Sequence, residues 1–409
     1  MWWNDREKRL RAHGPNREKT IIFAEALLLC LLCLSFFLFH TEPGQAAVAK
    51  ANKAASALGL EKMLPQKEET ASPSETKAYI KWVDFTVTCE AMNQAFRYDV
   101  DTCQADVHLN WVDLLAYLGA RYGGDFSRYK PADMTQVAEK LKSGETTMEA
   151  LTKDMKYYRY YREAYGAVLD GMVGQFEAQI PSSEAPGAYL PSGVTGGAPG
   201  DPETIWVTKY GLKAFSPIAK GFPYSDFDDF GVARSYGFRR QHLGHDLMGQ
   251  VGTPVIAVES GYVEAMGWNQ YGGWRLGIRS FDKKRYYYYA HLRKDYPYQS
   301  NLKEGSYVQA GDVIGYLGRT GYSRTENTNN IDESHLHFGL QLIFDESQKE
   351  GNNEIWVSCY ELVKFLSMNR SQTVKVEGTK EWTRVYGTKD PQVPETPPAK
   401  LPEAPESNP

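Results

Sequence analysis

The chain of 409 residues lacks the features that would indicate several classes of protein. It has no large basic block and a net charge of -5, so electrostatics give no support for a nucleic-acid partner. Outside an apolar run near the N-terminus it has no CxxC pairs, which argues against a thiolate zinc site. No serine-nucleophile or Cys–His motif offers a covalent route to hydrolysis, and no convincing internal repeat is found.

Cysteine is scarce, with five residues in the chain. Cys30 and Cys33 lie inside the apolar run, which leaves Cys89, Cys103 and Cys359. Cys89 and Cys103 are close enough in sequence to form a disulfide, and ordinary buried thiols are the alternative. Spacing alone does not set the pairing.

Only one stretch is long and apolar, from Ile21 to Phe39, interrupted by Glu25 and Ser35. At about 1.5 Å per residue it nearly spans a hydrocarbon core of about 30 Å. Six basic residues precede this run, whereas the chain after it is rich in Pro and Ala. The positive-inside bias therefore predicts a single-pass anchor in the cytoplasmic membrane, with all later residues on the extracytoplasmic side. A signal peptide cleaved near Ala47-Val48-Ala49 is the alternative.

Composition predicts a multidomain chain of α and β parts. After the anchor, a spacer rich in Ala, Pro and Glu precedes a region with helical periodicity. A linker rich in Gly and Pro follows. The next region has short β-branched and aromatic runs between glycine turns, which is typical of an antiparallel β domain. The predicted segments are a cytoplasmic basic segment 1–20, transmembrane helix 21–40, flexible linker 41–76, helical domain 77–178, linker 179–200, β domain 201–370 and a tail 371–409 that is Pro-rich and disordered from about 390.

Two helices are predicted in the helical domain. In the segment from Asn110 to Gly119, apolar residues recur with the i, i+3, i+4, i+7 spacing of one helix face, with Asn110 as N-cap and Gly123-Gly124 as the stop. A second helix is predicted from Lys153 to Phe176. Its first half carries five tyrosines, which favour core packing over a ligand-binding face.

Histidine is rare, yet five of the eight residues fall within the predicted β domain. In SHLHFGLQLIF, apolar residues alternate with His335, His337, Gly339 and Gln341. A strand with this period directs both histidines to one face, away from the core. Two neighbouring imidazoles can bind one metal ion, or one can bind while the other acts on a substrate. A pair of ordinary surface histidines is the alternative.

The segment HLGHD adds two further candidate ligands, His242 and Asp246. They are four residues apart, which is too far for chelation in a straight strand, but Gly244 between them allows a bend or bulge. In YYYYAHL, His291 ends an aromatic strand. Five candidate residues thus lie on three segments.

The ordered set HxGxD, GTPV, YAHL, a GD-type turn and HLHF resembles the M23 (lysostaphin/LytM-type) zinc metallopeptidases over roughly residues 205–345. The resemblance implies an antiparallel sheet with an open groove. It implies Zn²⁺ as cofactor, bound by His242, Asp246 and His337. It also implies that His291 and His335 are catalytic. Three protein ligands leave a position for water, as a catalytic zinc site requires.

Three departures from the family pattern are visible. RTENTNNIDES separates Tyr322-Ser323 from His335, where the family runs almost directly into HLHF. Gly339 replaces a frequent acidic residue after HLHF. His245 is an additional histidine that could be an alternate ligand, although a strand would direct it away from Asp246. The first two changes are expected to reshape the groove without touching a ligand.

The resemblance implies an endopeptidase that cuts peptidoglycan stem peptides or cross-bridges, with peptidoglycan peptides as its partner. A non-catalytic M23-like module that binds wall or acts as a division or sporulation scaffold is the first alternative. A glycan hydrolase in the helical domain, using carboxylates such as Glu90 and Asp106, is the second.

Overall fold

A computed structural model describes residues 79–184, 204–235, 239–349 and 353–394. The predicted cytoplasmic segment, transmembrane helix and first linker lie outside these residues, as does most of the predicted linker 179–200. Among the described residues, no helix has both the length and the apolar character needed to cross a bilayer. Every described residue belongs to one compact unit within residues 79–409.

Six α-helices are found in the described part. They are α1 Cys89–Thr102, α2 Trp111–Tyr122, α3 Pro131–Lys142, α4 Met148–Thr152, α5 Tyr158–Leu169 and α6 Tyr360–Leu366. The first predicted helix is confirmed as α2. The Asn110 side chain accepts hydrogen bonds from the N–H groups of Val112 and Asp113, and Gly123 ends the helix in the left-handed conformation with φ 67°.

The second predicted helix was wrong at both ends, since α5 is shorter and residues after it form a strand. Helix α5 ends at Leu169 because Asp170 turns to an extended ψ and Gly171 takes φ 87°, a conformation that favours glycine. The chain then enters strand β1, Val173–Pro181. Of the five tyrosines, Tyr165 is fully buried and Tyr157 is exposed, so they form no continuous face.

Fifteen further strands follow in the described residues. They are β2 Thr204–Leu212, β3 Ala233–Ser235, β4 Arg239–Gln241, β5 His245–Met248, β6 Pro254–Ile256, β7 Gly261–Asn269, β8 Gly273–Ser280, β9 Arg285–Ala290, β10 Tyr307–Val308, β11 Val313–Tyr316, β12 His335–Leu342, β13 Ile355–Val357, β14 Thr373–Lys375, β15 Trp382–Arg384 and β16 Thr388–Lys389. The last three lie within the segment predicted as a tail.

The main sheet has the strand order β10-β7-β8-β9-β12-β13, and β5 also pairs with β12. Strands β5 and β13 occupy the same edge of β12, one beside each half of it. Every pairing is antiparallel, as predicted for this domain. A three-stranded sheet of order β16-β1-β2 and three two-stranded pairs complete the described strands.

One hydrophobic core joins the helices to the main sheet. Trp111 of α2 stacks on Phe365 of α6 with ring centroids 5.6 Å apart. Arg285 of β9 is fully buried, pairs with Glu259 at 2.7 Å and donates a hydrogen bond of 3.0 Å to the carbonyl of Ala167 in α5. The Trp111–Phe365 stack therefore joins α2 to α6, and the Arg285 hydrogen bond joins α5 to the main sheet.

The three described cysteines are free thiols, so no Cys89–Cys103 disulfide forms. Cys359 is buried, and burial raises the pKa of its thiol to about 12. The expectation of free thiols is confirmed for all three, but only Cys359 is buried, and Cys89 and Cys103 are half-buried.

Candidate metal centre

Three sequence-predicted ligands, His242, Asp246 and His337, converge on one point of the main sheet. Asp246 in β5 and His337 in β12 are direct partners across the strand pair. His242 Nε2 lies 3.1 Å from Asp246 Oδ1 and 3.1 Å from His337 Nδ1, and the last two atoms are 2.9 Å apart. The strand register and the segment before β5 thus bring together atoms from positions 95 residues apart.

The chain bends at Gly244, between His242 and Asp246. A Cβ atom at this position would lie 2.5 Å from both Cε1 and Nε2 of His337, and 3.0 Å from the carbonyl oxygen of Phe338. No side chain fits there without displacing a ligand. The predicted bend is present. Position 244 requires glycine because the His337 ring lies so close to it, and not because the backbone takes an unusual conformation.

The protonation states of this cluster suit a cation. Burial raises the pKa of Asp246, but hydrogen bonds with His242 and His337 outweigh burial and hold that pKa well below its usual value. Burial lowers the pKa of His337, which keeps its imidazole neutral at pH 7. Metal ligands must be a deprotonated carboxylate and neutral imidazoles, and Asp246 and His337 meet this requirement.

The spacing of the three atoms also fits a small ion. A tetrahedral zinc site has bonds of about 2.0–2.1 Å to nitrogen, so adjacent ligand atoms are about 3.3 Å apart. The observed 2.9–3.1 Å comes close to this. His242, Asp246 and His337 form a group that could hold a metal ion.

Two residues that the sequence analysis missed, Asp229 and Arg234, surround the ligands. His242 Nδ1 donates to Asp229 Oδ1 at 2.9 Å, which leaves Nε2 for the cluster. Arg234 contacts the Asp229 carboxylate, and its Nη1 lies 2.8 Å from Asp246 Oδ2. A carboxylate on the outer nitrogen of a ligating histidine fixes the tautomer and ring orientation. The acidic run before HLGHD was the available signal, although such runs are common on solvated loops.

Asp229→Asn is expected to weaken zinc binding by about 10–100-fold, because the amide no longer carries the charge that holds His242 in place. Asp228→Asn is the matched control, since this neighbour is exposed and should bind zinc like the wild type. Competition with a chromophoric chelator measures both affinities. Equal affinities for the two variants would show that Asp229 does not support the ligand.

His291 and His335, the two predicted catalytic residues, lie beside the cluster. Their ring centroids are 4.8 Å apart, and the His291 ring is 5.8 Å from that of His337. His291 follows β9 with φ 60°, a conformation uncommon outside glycine and often found at functional sites. His335 Nε2 lies 3.8 Å from Asp246 Oδ2.

Backbone carbonyls fix the tautomers of both histidines. His291 Nδ1 donates to the carbonyl of Thr320 at 2.9 Å, and His335 Nδ1 donates to that of Glu333 at 2.8 Å. A carbonyl only accepts, so the proton of each neutral ring is on Nδ1 and Nε2 is a base. Burial, followed by the nearby His335 and His337, holds the pKa of His291 well below its usual value.

His245 points away from the cluster, as expected for its position in the strand. Its Nε2 lies 2.8 Å from Asp226 Oδ2, and its ring centroid is 5.5 Å from that of Tyr360. It is buried on the opposite face of β5. The structure therefore does not bring it near the ligands.

The two other departures from the family pattern have structural counterparts. In the inserted segment 324–334, Asn327 accepts hydrogen bonds from Trp274 Nε1 and from the Asp295 N–H, both at 2.9 Å, which fastens the loop to the sheet domain. At Gly339, a Cβ atom would lie 2.7 Å from the Trp356 ring. An acidic side chain at position 339 would displace Trp356.

Comparisons with known proteins find matches in the region that carries the candidate ligands. The profile of Peptidase family M23 matches residues 240–350. The "L-Ala--D-Glu endopeptidase" of Bacillus subtilis (strain 168) is 39% identical over 124 residues, which is 30% of this chain and 36% of that protein. The "Glycyl-glycine endopeptidase ALE-1" of Staphylococcus capitis is 39% identical over 98 residues, 24% of each chain. The chain thus spans about a third or less of these relatives.

Among solved structures, the catalytic domain of lysostaphin from Staphylococcus simulans is 33% identical to this chain. The match covers 32% of this chain and 84% of that domain, with a TM-score of 0.25.

Proposed function

We propose that the protein is a zinc-dependent endopeptidase that hydrolyses peptide bonds in peptidoglycan, as the match of residues 240–350 to peptidase family M23 suggests. The observation that carries this proposal is the convergence of His242, Asp246 and His337 beside two histidines whose basic Nε2 atoms are set by backbone carbonyls. The relatives are named for an L-Ala–D-Glu bond and for glycyl-glycine bonds. Stem peptides and cross-bridges are therefore both candidate substrates.

His242 Nε2, Asp246 Oδ1 and His337 Nδ1 would hold the zinc ion. When bound, zinc supplies a Lewis acid that acidifies water and polarises the scissile carbonyl. His335 or His291 accepts the proton of the attacking water at its Nε2, which is unprotonated in the neutral ring. The histidine that has gained this proton becomes a donor, able to stabilise the oxyanion or protonate the leaving amine. Asp229 and Arg234 hold the ligands in place throughout.

Digestion of purified muropeptides by the full chain, read by mass spectrometry, tests the proposal. We expect new free amino termini within the peptides, loss of cleavage after treatment with a chelator, and recovery with Zn²⁺. Retained wall binding without any peptide cleavage would instead support the non-catalytic scaffold. New reducing ends would support a glycan hydrolase, although Glu90 and Asp106 are exposed residues on the helical part.

The proposed location is the extracytoplasmic face of the cell membrane, with one anchor at residues 21–40. The apolar run and its basic flank support this topology. Protease added to intact spheroplasts is expected to remove the peptidase domain and leave a short membrane-bound fragment. A soluble mature chain that begins near Lys50 would establish the signal peptide instead.

A further inference from the structure

A second cation, Arg240, lies beside the proposed catalytic histidines and takes no part in holding the ligands. It belongs to β4, two residues before His242, and its partner across the strand pair is Arg234. Its guanidinium carbon is 4.9 Å from the centroid of the Tyr322 ring, which in turn is 5.8 Å from the His291 ring. This chain of contacts places the positive charge at the edge of the candidate active site.

The two arginines differ in their partners. Arg234 is neutralised by Asp229 and Asp246. Arg240 forms no ion pair with any described carboxylate, and its Nε atom is buried without a hydrogen-bond partner. The side chain as a whole is half-buried, and a cation held partly out of water without an anion costs free energy.

We infer that Arg240 binds a free carboxylate of the substrate next to the scissile bond, and that the enzyme prefers an acidic stem peptide to a glycine bridge. This inference rests on the proposed function. A guanidinium forms paired hydrogen bonds with a carboxylate, and the Tyr322 ring holds it from one face. A D-Glu residue that continues the chain through one carboxyl group keeps the other free, whereas a glycine bridge has no side-chain charge to offer.

The test uses three synthetic peptides cleaved by the full-length zinc-loaded protein. One contains L-Ala–D-Glu with a free carboxylate, the second carries the corresponding amide, and the third is a glycine oligomer. A hydrogen bond to a charged group contributes about 1.5–3 kcal/mol, so the wild type should cleave the carboxylate peptide about 10–100-fold more efficiently in kcat/KM than the amide. The glycine oligomer should be a poor substrate.

Arg240→Gln should lower kcat/KM for the carboxylate peptide by about 10–100-fold and leave the amide peptide nearly unchanged, because only the first gains from the charge. Arg240→Lys should keep part of the preference for the carboxylate peptide, because lysine retains the positive charge but lacks the planar guanidinium that forms paired hydrogen bonds. Arg159→Gln, which removes an exposed charge from helix α5, is the matched control and should cleave like the wild type. Zinc content and thermal midpoint are measured for each variant.

Each outcome bears on one of the two proposals. Equal cleavage of the acid and the amide, unchanged in Arg240→Gln, overturns the inference and leaves the peptidase intact, as does cleavage of the glycine oligomer alone. Loss of zinc from Arg240→Gln would mean that Arg240 supports the metal centre, which also overturns the inference. Failure of the zinc-loaded wild type to cleave any of the peptides refutes the proposed function, and the inference with it.

Discussion

His337→Ala is expected to purify with little zinc and to lose peptidase activity by about 10³-fold or more. His337 Nδ1 lies 2.9 Å from Asp246 Oδ1 and 3.1 Å from His242 Nε2, so its removal takes away one of three protein ligands. Loss of a residue that only hydrogen-bonds to a ligand already weakens zinc binding by about 10–100-fold, so loss of a ligand itself should weaken it further. Without the ion, several kcal/mol of transition-state stabilisation disappear, at about 1.4 kcal/mol for each tenfold in rate.

His335→Ala, on the same face of β12, is the matched control. It should keep near-stoichiometric zinc because all three ligands remain, yet lose about 10²–10⁴-fold in activity as a lost general base or acid. His291→Ala should behave in the same way, and His245→Ala should resemble the wild type. Metal analysis beside a peptidoglycan-release assay compares the four proteins. If His335→Ala lost zinc and His337→Ala kept it, the two roles would have to be exchanged; four fully active variants would refute the peptidase.

Gly244→Ala is expected to destroy the metal centre without altering any ligand. The added methyl group would lie 2.5 Å from two atoms of the His337 ring, so either the ring or the backbone must shift. Overpacking of this kind typically costs about 1–3 kcal/mol of folding free energy. Since the ring is also a ligand, we expect zinc binding and activity to fall nearly as far as in His337→Ala.

Gly211→Ala supplies the comparison, because a Cβ atom there meets nothing within 4 Å and the residue lies in strand β2. It should keep its zinc, activity and thermal midpoint. Zinc stoichiometry and thermal unfolding of both variants decide the matter. A fully active, zinc-replete Gly244→Ala protein would show that the His337 ring moves at little cost, and that the described position of the ring is not required for binding.

The five candidate residues could be found from sequence because each lies in a short segment with a strong local pattern. In HLHF the alternation alone sets the faces, and the structure buries Leu336 and Phe338 completely while both histidines face the cluster. The helix cap at Asn110 is equally local. Features that depend on only a few consecutive residues can therefore be predicted from the sequence.

The remaining features depend on partners far along the chain. Pairing of Asp246 with His337 is a matter of strand register between positions 91 residues apart. The carbonyls of Thr320 and Glu333 that fix two tautomers are backbone groups, which no residue type reveals. The predicted helix ran on to Phe176, over the first four residues of β1, because the apolar residues of β1 are few and mixed with polar ones. The left-handed Gly171 lies between α5 and β1.

Arg285 and the Trp111–Phe365 stack have a consequence for how the molecule can be divided. Because they join the helices and the sheet through one interior, the peptidase motif and the cooperative folding unit do not share the same limits. A fragment cut to the motif would expose the sheet surface that the helices cover, and Arg285 would lose its bond to the Ala167 carbonyl. Residues 79–394 should therefore unfold in a single thermal transition. A recombinant fragment should include all of these residues.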